Sequence, residues 1–215
     1  VATDNALNQF QERSRKILRG DSTQGQDGQT QAQPGFLSLQ GEEAMRARPD
    51  VEKNIDSTLK EIRANLKSPA AQAKFDRTSR HYKETVLNQV GSHTDAQANV
   101  WYQRVNKATE ANALADISMY ANDPVKVQSY IEDLKAARVK NVQLQGGANN
   151  PEMVRAAVES GERDGISAQL QAVAVHEPKR ALDILEERRS KVGILYDDLA
   201  TKFRARADQQ AGDRA

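Results

Sequence analysis

The sequence predicts an all-α fold, either a multi-helix bundle or a solenoid-like array of helical hairpins, with a tethered N-terminal helix. Apolar residues recur at helical spacing through most of the chain. Proline and capping residues divide this pattern into pieces of helix length. No segment alternates apolar and polar residues between hairpin turns, so the sequence predicts no strand.

Composition supports narrow helix–helix packing and excludes several classes of protein. Hydrophobic residues make up 38% and aromatic residues 5%, so the core must come from Leu, Ile, Val and many Ala. Lys+Arg number 31 and Asp+Glu 30, a balance that argues against a dedicated nucleic-acid binder with a basic stripe. The absence of cysteine excludes disulfides and thiolate metal sites.

Nothing in the sequence predicts a membrane span or a targeting segment. No apolar run approaches the roughly 20 residues that cross a bilayer, and no signal-peptide pattern opens the chain. Because the chain begins at Val1 rather than Met, we expect a portion or processed form of a longer protein, with removal of the initiator methionine as the open alternative.

Residues 1–20 are predicted to form a first helix that Thr3 or Asp4 caps and Gly20 ends. Its predicted apolar stripe is thin, consisting of Leu7, Ile17 and Leu18. Residues 21–35 contain no large apolar side chain and are predicted to be a flexible linker or an extended strap. The first helix is therefore tethered, and we expect it to dock onto a different chain.

Residues 36–121 are predicted to form an amphipathic helical region. A short helix at 39–47 is interrupted by Pro49, and a helix that Ser68 and Pro69 open ends at Gly91. Thr94 or Asp95 then caps a long helix to about Ala121. The aligned residues of the three longer helices are Val51, Ile55, Leu59, Ile62 and Leu66; Phe75, Ser79, Tyr82, Val86 and Val90; and Ala98, Trp101, Val105, Ala108, Ala115 and Met119.

Residues 122–210 are predicted to form a helical-hairpin region, followed by a frayed tail at 211–215. Breaks are expected at Asp123-Pro124, at the Gly146–Asn150 turn before Pro151, and at Glu177-Pro178. Gly161 and Gly165 are expected to kink their helix. Whether one helix or two, joined at Ser190 and Gly193, covers 179–209 stays open. The stretches after Tyr120 and after Val175 form a weak repeat, typical of stacked helical hairpins.

The sequence predicts no catalytic, cofactor-binding or metal-ligating residue. His81, His93 and His176 lack the convergent ligands of a zinc site and are predicted to be surface or capping residues. Glu159-Ser160 resembles the Glu-Ser pair of lytic transglycosylases, in which the glutamic acid protonates the glycosidic oxygen, but the following Gly-Leu-Met-Gln stretch of that fold is missing. We therefore expect Glu159 on a solvated helix face.

Two groups of basic residues and a pair of aromatic residues are candidate contact surfaces. The basic groups are Lys74, Arg77, Arg80, His81 and Lys83, and Arg188, Arg189, Lys191, Lys202, Arg204 and Arg206. We favour salt-bridged helix surfaces over contact with DNA phosphates. Trp101 and Tyr102 point to different sides of their helix, so one is expected in the core and the other at a neighbouring chain. Tyr82 and Tyr130 are further candidates for such a contact.

Three short motifs follow one another in order along the chain. Residues 35–44 read GFLSLQGEEA, residues 66–76 read LKSPAAQAKFD, and residues 122–124 read NDP. This order resembles the internal virion (ejection) proteins of short-tailed bacteriophages, over about residues 35–190. The resemblance implies a structural role without a cofactor, with copies at the portal–tail axis that are expelled with the genome and form a conduit. The implied location is the virion, and the host envelope or periplasm after ejection.

The implied partners are further copies of the chain, the portal, tail and other ejection proteins, phage DNA contacted without sequence specificity, and the host envelope. The family motif contains no catalytic residue, so we expect no enzymatic activity. Two alternatives stay open at this point. One is a helical-repeat adaptor that binds a partner protein, and the other is a peptidoglycan-cleaving accessory enzyme, which the missing acid motif disfavours.

Overall fold

The computed structural model describes residues 2–24 and 30–213. These residues form two compact units, one that ends at Trp101 and one that begins at Tyr102. The predicted all-α class is confirmed, with one small two-stranded sheet as the exception. The division falls within one long helix, whereas the predicted regional boundary lies at 121/122. Contacts, rather than helix ends, define the two units.

The first unit is a three-helix bundle formed by α1 (Ala2–Arg19), α2 (Gly41–Ala64) and the first part of α3 (Pro69–Met119). Helices α2 and α3 are antiparallel, since Arg63 pairs with Asp76 at 2.9 Å and Lys83 pairs with Asp56 at 2.6 Å. Helix α1 runs parallel to α3, with the Tyr82 hydroxyl donating to the Gln11 carbonyl at 3.3 Å. The core residues are Ala6, Phe10, Leu18, Phe36, Ile55, Ile62, Leu66, Phe75, Val86 and Val90.

Helix α1 packs within its own unit, so the expectation that it docks onto a different chain is wrong for its main apolar face. Phe10 is completely buried, and its ring meets Tyr82 edge-on at 5.7 Å. The buried face also includes Thr3, Ala6, Ser14 and Leu18. The predicted apolar stripe did not include Phe10. The buried face is also wider than that stripe, because it includes small and hydroxyl-bearing residues at helical spacing.

A β-hairpin joins α1 to α2, and the prediction of no strand is wrong here. Strands β1 (Gly20–Gln24) and β2 (Thr30–Pro34) pair antiparallel, with Gly20 opposite Pro34. Backbone pairing needs no apolar side chain, so period-two hydrophobicity could not reveal it. The centre of the predicted linker, residues 25–29, lies outside the described residues.

Two predicted helix breaks are absent. Helix α2 continues through Pro49, because Ala44 and Ile55 on either side are completely buried and hold their turns in place. Helix α3 continues through Gly91, between the buried Val90 and Thr94. The Thr94 hydroxyl donates to the Val90 carbonyl at 2.8 Å, so it does not cap a helix N-terminus. A short 3-10 helix, Phe36–Ser38, precedes α2.

The second unit comprises the end of α3 followed by α4 (Pro124–Leu144), α5 (Pro151–His176), α6 (Pro178–Glu187), α7 (Arg189–Val192) and α8 (Tyr196–Gly212). The predicted break at Asp123 is confirmed, as its carboxylate accepts from the backbone N–H groups of Val125 and Lys126. A joint at Gly193 separates α7 from α8, which decides against a single helix over 179–209. Helix α8 includes the first two residues of the predicted frayed tail.

Helices α4 and α5 pack closely where α5 carries its two internal glycines. A Cβ on Gly161 would lie 3.1 Å from the Lys135 Cα, and one on Gly165 would lie 2.7 Å from the Ile131 Cγ1. These glycines therefore permit close helix approach. The surrounding core residues are Ala113, Ile117, Ala121, Val127, Ile131, Leu134, Ile166, Leu170, Val173, Ala174, Ala181, Leu185, Val192, Leu199, Ala200 and Phe203.

The face of α3 predicted from Val105, Ala108, Ala115 and Met119 does not enter this core. These four residues are exposed, with Val105 at 40% and Met119 at 73% of their full accessibility. The buried face of the same segment consists of Asn106, Ala113, Ile117 and Ala121. The prediction therefore identified a real apolar stripe but not the one that packs within the unit.

Candidate functional site

The family-like motif at residues 35–44 forms a tightly packed clasp at the base of the hairpin. Gly35 is buried, and a Cβ on it would lie 2.1 Å from the Gly20 nitrogen and 2.5 Å from the Leu18 carbonyl oxygen. Only glycine fits between these backbone segments. Phe36 is 3% exposed, and its ring meets the His93 imidazole edge-on at 5.3 Å.

Residues of helix α3 contact the second half of this clasp, at Leu39 and Gly41. The Gly41 N–H donates to the Gln97 side-chain oxygen at 2.9 Å, and His93 Nε2 lies 3.0 Å from the Leu39 carbonyl oxygen. Gly41 has a φ of 52°, with the Trp101 ring 3.3 Å from where a Cβ would lie. The motif therefore specifies backbone geometry and packing. Trp101 is half-buried beside it, while the adjacent Tyr102 is 46% exposed.

The three histidines occupy separate and different environments. His81 and His176 are exposed, as predicted, whereas the half-buried His93 contacts a loop carbonyl and an aromatic ring rather than capping a helix. No local pattern could predict this contact, because Leu39 is 54 residues away. Among the described residues, no group of three or more potential ligands is placed to hold a metal ion.

Glu159 lies on a solvated helix face, as predicted. Its carboxylate is 3.8 Å from the Arg155 guanidinium, one turn earlier in α5. Ser160 instead turns inward, where its hydroxyl accepts from Arg138 at 2.9 Å and donates to the Ala157 carbonyl at 3.1 Å. Both residues border a shallow groove beside Met153, but Glu159 is exposed there and lacks the shaped, partly apolar pocket that a general acid needs.

A polar network that the sequence does not predict joins α3, α4 and α5. The Arg138 guanidinium is 2.8 Å from the Asp164 carboxylate and 3.4 Å from that of Glu110, with only 19% of its side chain exposed. Asn141 donates to Glu110 at 2.8 Å. The network lines a shallow groove of about 610 Å³ beside Met153. Because Arg138 already has two carboxylate partners, the network chiefly fixes three helices.

Two tyrosines at the α3–α4 corner also pack within the chain. The Tyr120 and Tyr130 rings stack at 6.0 Å, and the Lys126 ammonium lies 4.1 Å from the Tyr120 ring centre. Partial burial, followed by the nearby Asp116 carboxylate, raises the pKa of Tyr130. The Tyr130 ring is therefore a packing group within this corner.

Among the described residues, five of the eleven members of the two basic groups form ion pairs within the chain. Lys74 lies 4.0 Å from Asp4, and Lys191 lies 3.0 Å from Glu162 on a different helix. Arg77 and Arg80 on α3 are exposed and have no ion pair within the described part of the chain. The favoured salt-bridged surface is thus present for part of the two groups, with inter-helix pairs added to those one turn apart. Further basic residues paired with carboxylates are Lys83, Arg189 and Lys202.

Within the described ranges, no helix has the length and apolar character needed to cross a bilayer. No protein-family model, curated protein sequence or solved structure matches this chain.

Proposed function

We propose that this chain is a helical structural segment of a tailed-bacteriophage virion protein of the internal, or ejection, class. In this role, copies of the chain assemble at the portal–tail axis, leave with the genome and line a conduit across the host envelope. The observation that carries the proposal is the order of the three family-like motifs, from Gly35 to Pro124.

The positions of the motif residues support a structural role. Gly35 and Gly41 permit close backbone contacts, and Phe36 and Ala44 are buried. These are packing positions, and none of them presents a nucleophile, acid or base to solvent. A protein of this kind acts through its shape and its subunit contacts.

The later motifs support the same conclusion. The Ser68 hydroxyl accepts from the Ala71 N–H at 3.2 Å at the start of α3, and Phe75 is completely buried. Asp76 pairs with Arg63, and Asp123 caps α4. Each of these motif residues therefore begins or fixes a helix, as expected of a motif with an architectural role.

The surface fits passage beside nucleic acid without sequence-specific recognition. Positive and negative charges nearly cancel, and about half of the lysines and arginines in the described part of the chain are already paired. Arg77 and Arg80 are the basic side chains of the first cluster that we assign to contact with phosphates. Such contacts are weak and depend on salt, as expected for DNA that moves past the protein.

Mass spectrometry of purified phage particles tests this proposal. We expect peptides from both units in particles purified through a density gradient, at a constant ratio to the portal protein. A phage-encoded enzyme of DNA replication from the same lysate serves as the control for contamination. Particles that lack these peptides would refute the proposal.

The groove beside Met153 favours a second candidate, an adaptor that binds a partner peptide. Met153 is 42% exposed, and flexible methionines are common on adaptable binding surfaces. This candidate requires a stable monomer that binds one discrete peptide. Light scattering on the full chain, followed by peptide titration, separates it from the proposed assembly.

A further inference from the structure

The exposed stripe on the second half of α3 has the spacing of a coiled-coil seam. The stripe consists of Val105, Ala108, Asn112, Ala115 and Met119. Successive residues of the stripe are separated by alternating steps of three and four positions, and four of the five are apolar. Ala98 and Trp101 continue the same spacing upstream in the sequence. A stripe that repeats every 3.5 positions is the pattern by which one helix packs along another. We call these five residues the seam.

This seam lies on the wrong side of the helix to serve its own unit. The core-facing residues Asn106, Ala113 and Ile117 are buried, whereas all five seam residues are exposed. At about 100° per residue, the two sets lie about 140° apart around the helix axis. A helix that packs on one side is expected to be polar on the other, so a second, largely apolar face indicates a second partner.

The single polar member of the seam favours an identical helix as that partner. In the heptad register set by the spacing, Asn112 occupies an a position between the apolar a residues Val105 and Met119. An asparagine at one a position specifies the register of a coiled coil, at a cost in stability. Its side-chain amide both donates and accepts, so Asn112 can pair with Asn112 of a second copy in a parallel, in-register arrangement.

The residues that flank the seam are compatible with this arrangement. In a parallel pair, each e position of one helix faces a g position of the other. Asp116 then faces the uncharged Ala111, and Thr109 faces Arg104. No like charges meet across the seam, and the small alanines within it let the two backbones approach closely.

We infer that α3 pairs in parallel with α3 of a second copy of this chain, through the seam from Val105 to Met119. The inference rests on the proposed function, for which it names the surface that joins the copies. Because the seam is short, rich in alanine and interrupted by Asn112, association is weak, with a Kd on the order of 10 µM. In a particle, high local concentration compensates for this weakness.

Sedimentation velocity on the full chain tests the inference over about 1 to 500 µM, a range that brackets the expected Kd. The wild-type mass should rise from 23.8 kDa towards twice that value. Ala115→Glu places two facing charges in the seam and should weaken association at least about 100-fold. The matched control is Ala136→Glu, the same change at an exposed alanine of α4, which should associate like the wild type.

A second variant tests the role of the asparagine in the opposite direction. Asn112→Leu makes the seam continuously apolar, so association should tighten at least about 10-fold, because a buried asparagine weakens a coiled coil. A surface that merely exposes Asn112 to water would show no such gain. Circular dichroism of each variant at low concentration verifies that the helices are intact.

Three results would overturn the inference. The first is a wild-type chain that stays monomeric at every concentration, and the second is an oligomer that Ala115→Glu leaves unchanged. The third is an Asn112→Leu chain that associates no more tightly than the wild type. The proposed virion role would still stand in each case, since it is tested separately by the presence of the chain in purified particles.

Discussion

Replacing Gly165 with alanine tests whether α4 and α5 are as closely packed as the structure indicates. In an ordinary helix interior this change would stabilise the protein by about 1 kcal/mol, because alanine is the better helix former. Here the new Cβ would lie 2.7 Å from Ile131 Cγ1 and 3.3 Å from Ile117 Cδ1. Both distances are shorter than the ~3.5–4.0 Å of a favourable carbon–carbon contact.

The crowding should outweigh the gain in helix propensity. Ile131 is 1% exposed and Ile117 is completely buried, so neither side chain has free space to rotate into. Overpacking a filled core costs about 1–3 kcal/mol, and subtracting the propensity gain of about 1 kcal/mol leaves a net loss of up to about 2 kcal/mol. Gly91 is the matched control, because a Cβ there would meet only Arg48 Nη2, at 3.9 Å. Gly91→Ala should therefore stabilise by up to about 1 kcal/mol.

Urea denaturation followed by circular dichroism measures both changes. Trp101 is the only tryptophan of the chain, so its fluorescence reports on the first unit, while circular dichroism follows both. We expect the transition midpoint to fall for Gly165→Ala and to rise for Gly91→Ala. A Gly165→Ala protein that is stabilised as much as Gly91→Ala would refute the close packing of α4 against α5.

Three further substitutions test individual contacts. Gly35→Ala should lower the unfolding free energy by about 3 kcal/mol or more, since its Cβ would overlap backbone atoms, and a melting temperature equal to that of the wild type would contradict the clasp. Asp123→Ala removes the acceptor for two N–H groups and should cost about 1 kcal/mol in urea unfolding, whereas Asp123→Asn should retain most of that stability. Ser14 is completely buried, and its hydroxyl has no hydrogen-bond partner among the described residues. Ser14→Ala should therefore be neutral or stabilise by up to about 1 kcal/mol, and a marked fall in thermal stability would show that the hydroxyl is satisfied after all.

Features determined by neighbouring residues in the sequence were predictable. Ser68-Pro69, Asp123-Pro124 and Pro151 all begin helices where expected, because a cap and a fixed proline φ act within one turn. The amphipathic stripe around Ile55 and Ile62 also enters the core as predicted. These signals act within a few residues of the sequence, and tertiary packing in the folded chain agrees with them.

Features determined by distant packing were not predictable from local patterns. Pro49 and Gly91 normally weaken a helix, but buried residues on both sides keep α2 and α3 continuous. The hairpin depends on backbone hydrogen bonds that leave no apolar pattern. For α3, the sequence contains two apolar faces, and only the three-dimensional contacts show which of them the unit itself uses.

The residues of the candidate site also separate into those whose position follows from the local sequence and those placed by distant contacts. The solvated position of Glu159 follows from its local sequence, whereas the network around Arg138 joins residues 22 to 31 positions apart on three helices. In the sequence, Gly35 and Gly41 are distinguished only as members of the motif at residues 35–44. Its physical basis, close backbone approach and contact with Trp101, appears only in the folded chain.

The measurement that tests the central claim most directly is an electron cryomicroscopy reconstruction of the assembled phage particle. Copies of this helical chain should account for density around the portal–tail axis, with α3 helices of neighbouring copies in contact through the seam. A particle whose axial density is fully explained by other proteins, with no place for these helices, would contradict the account.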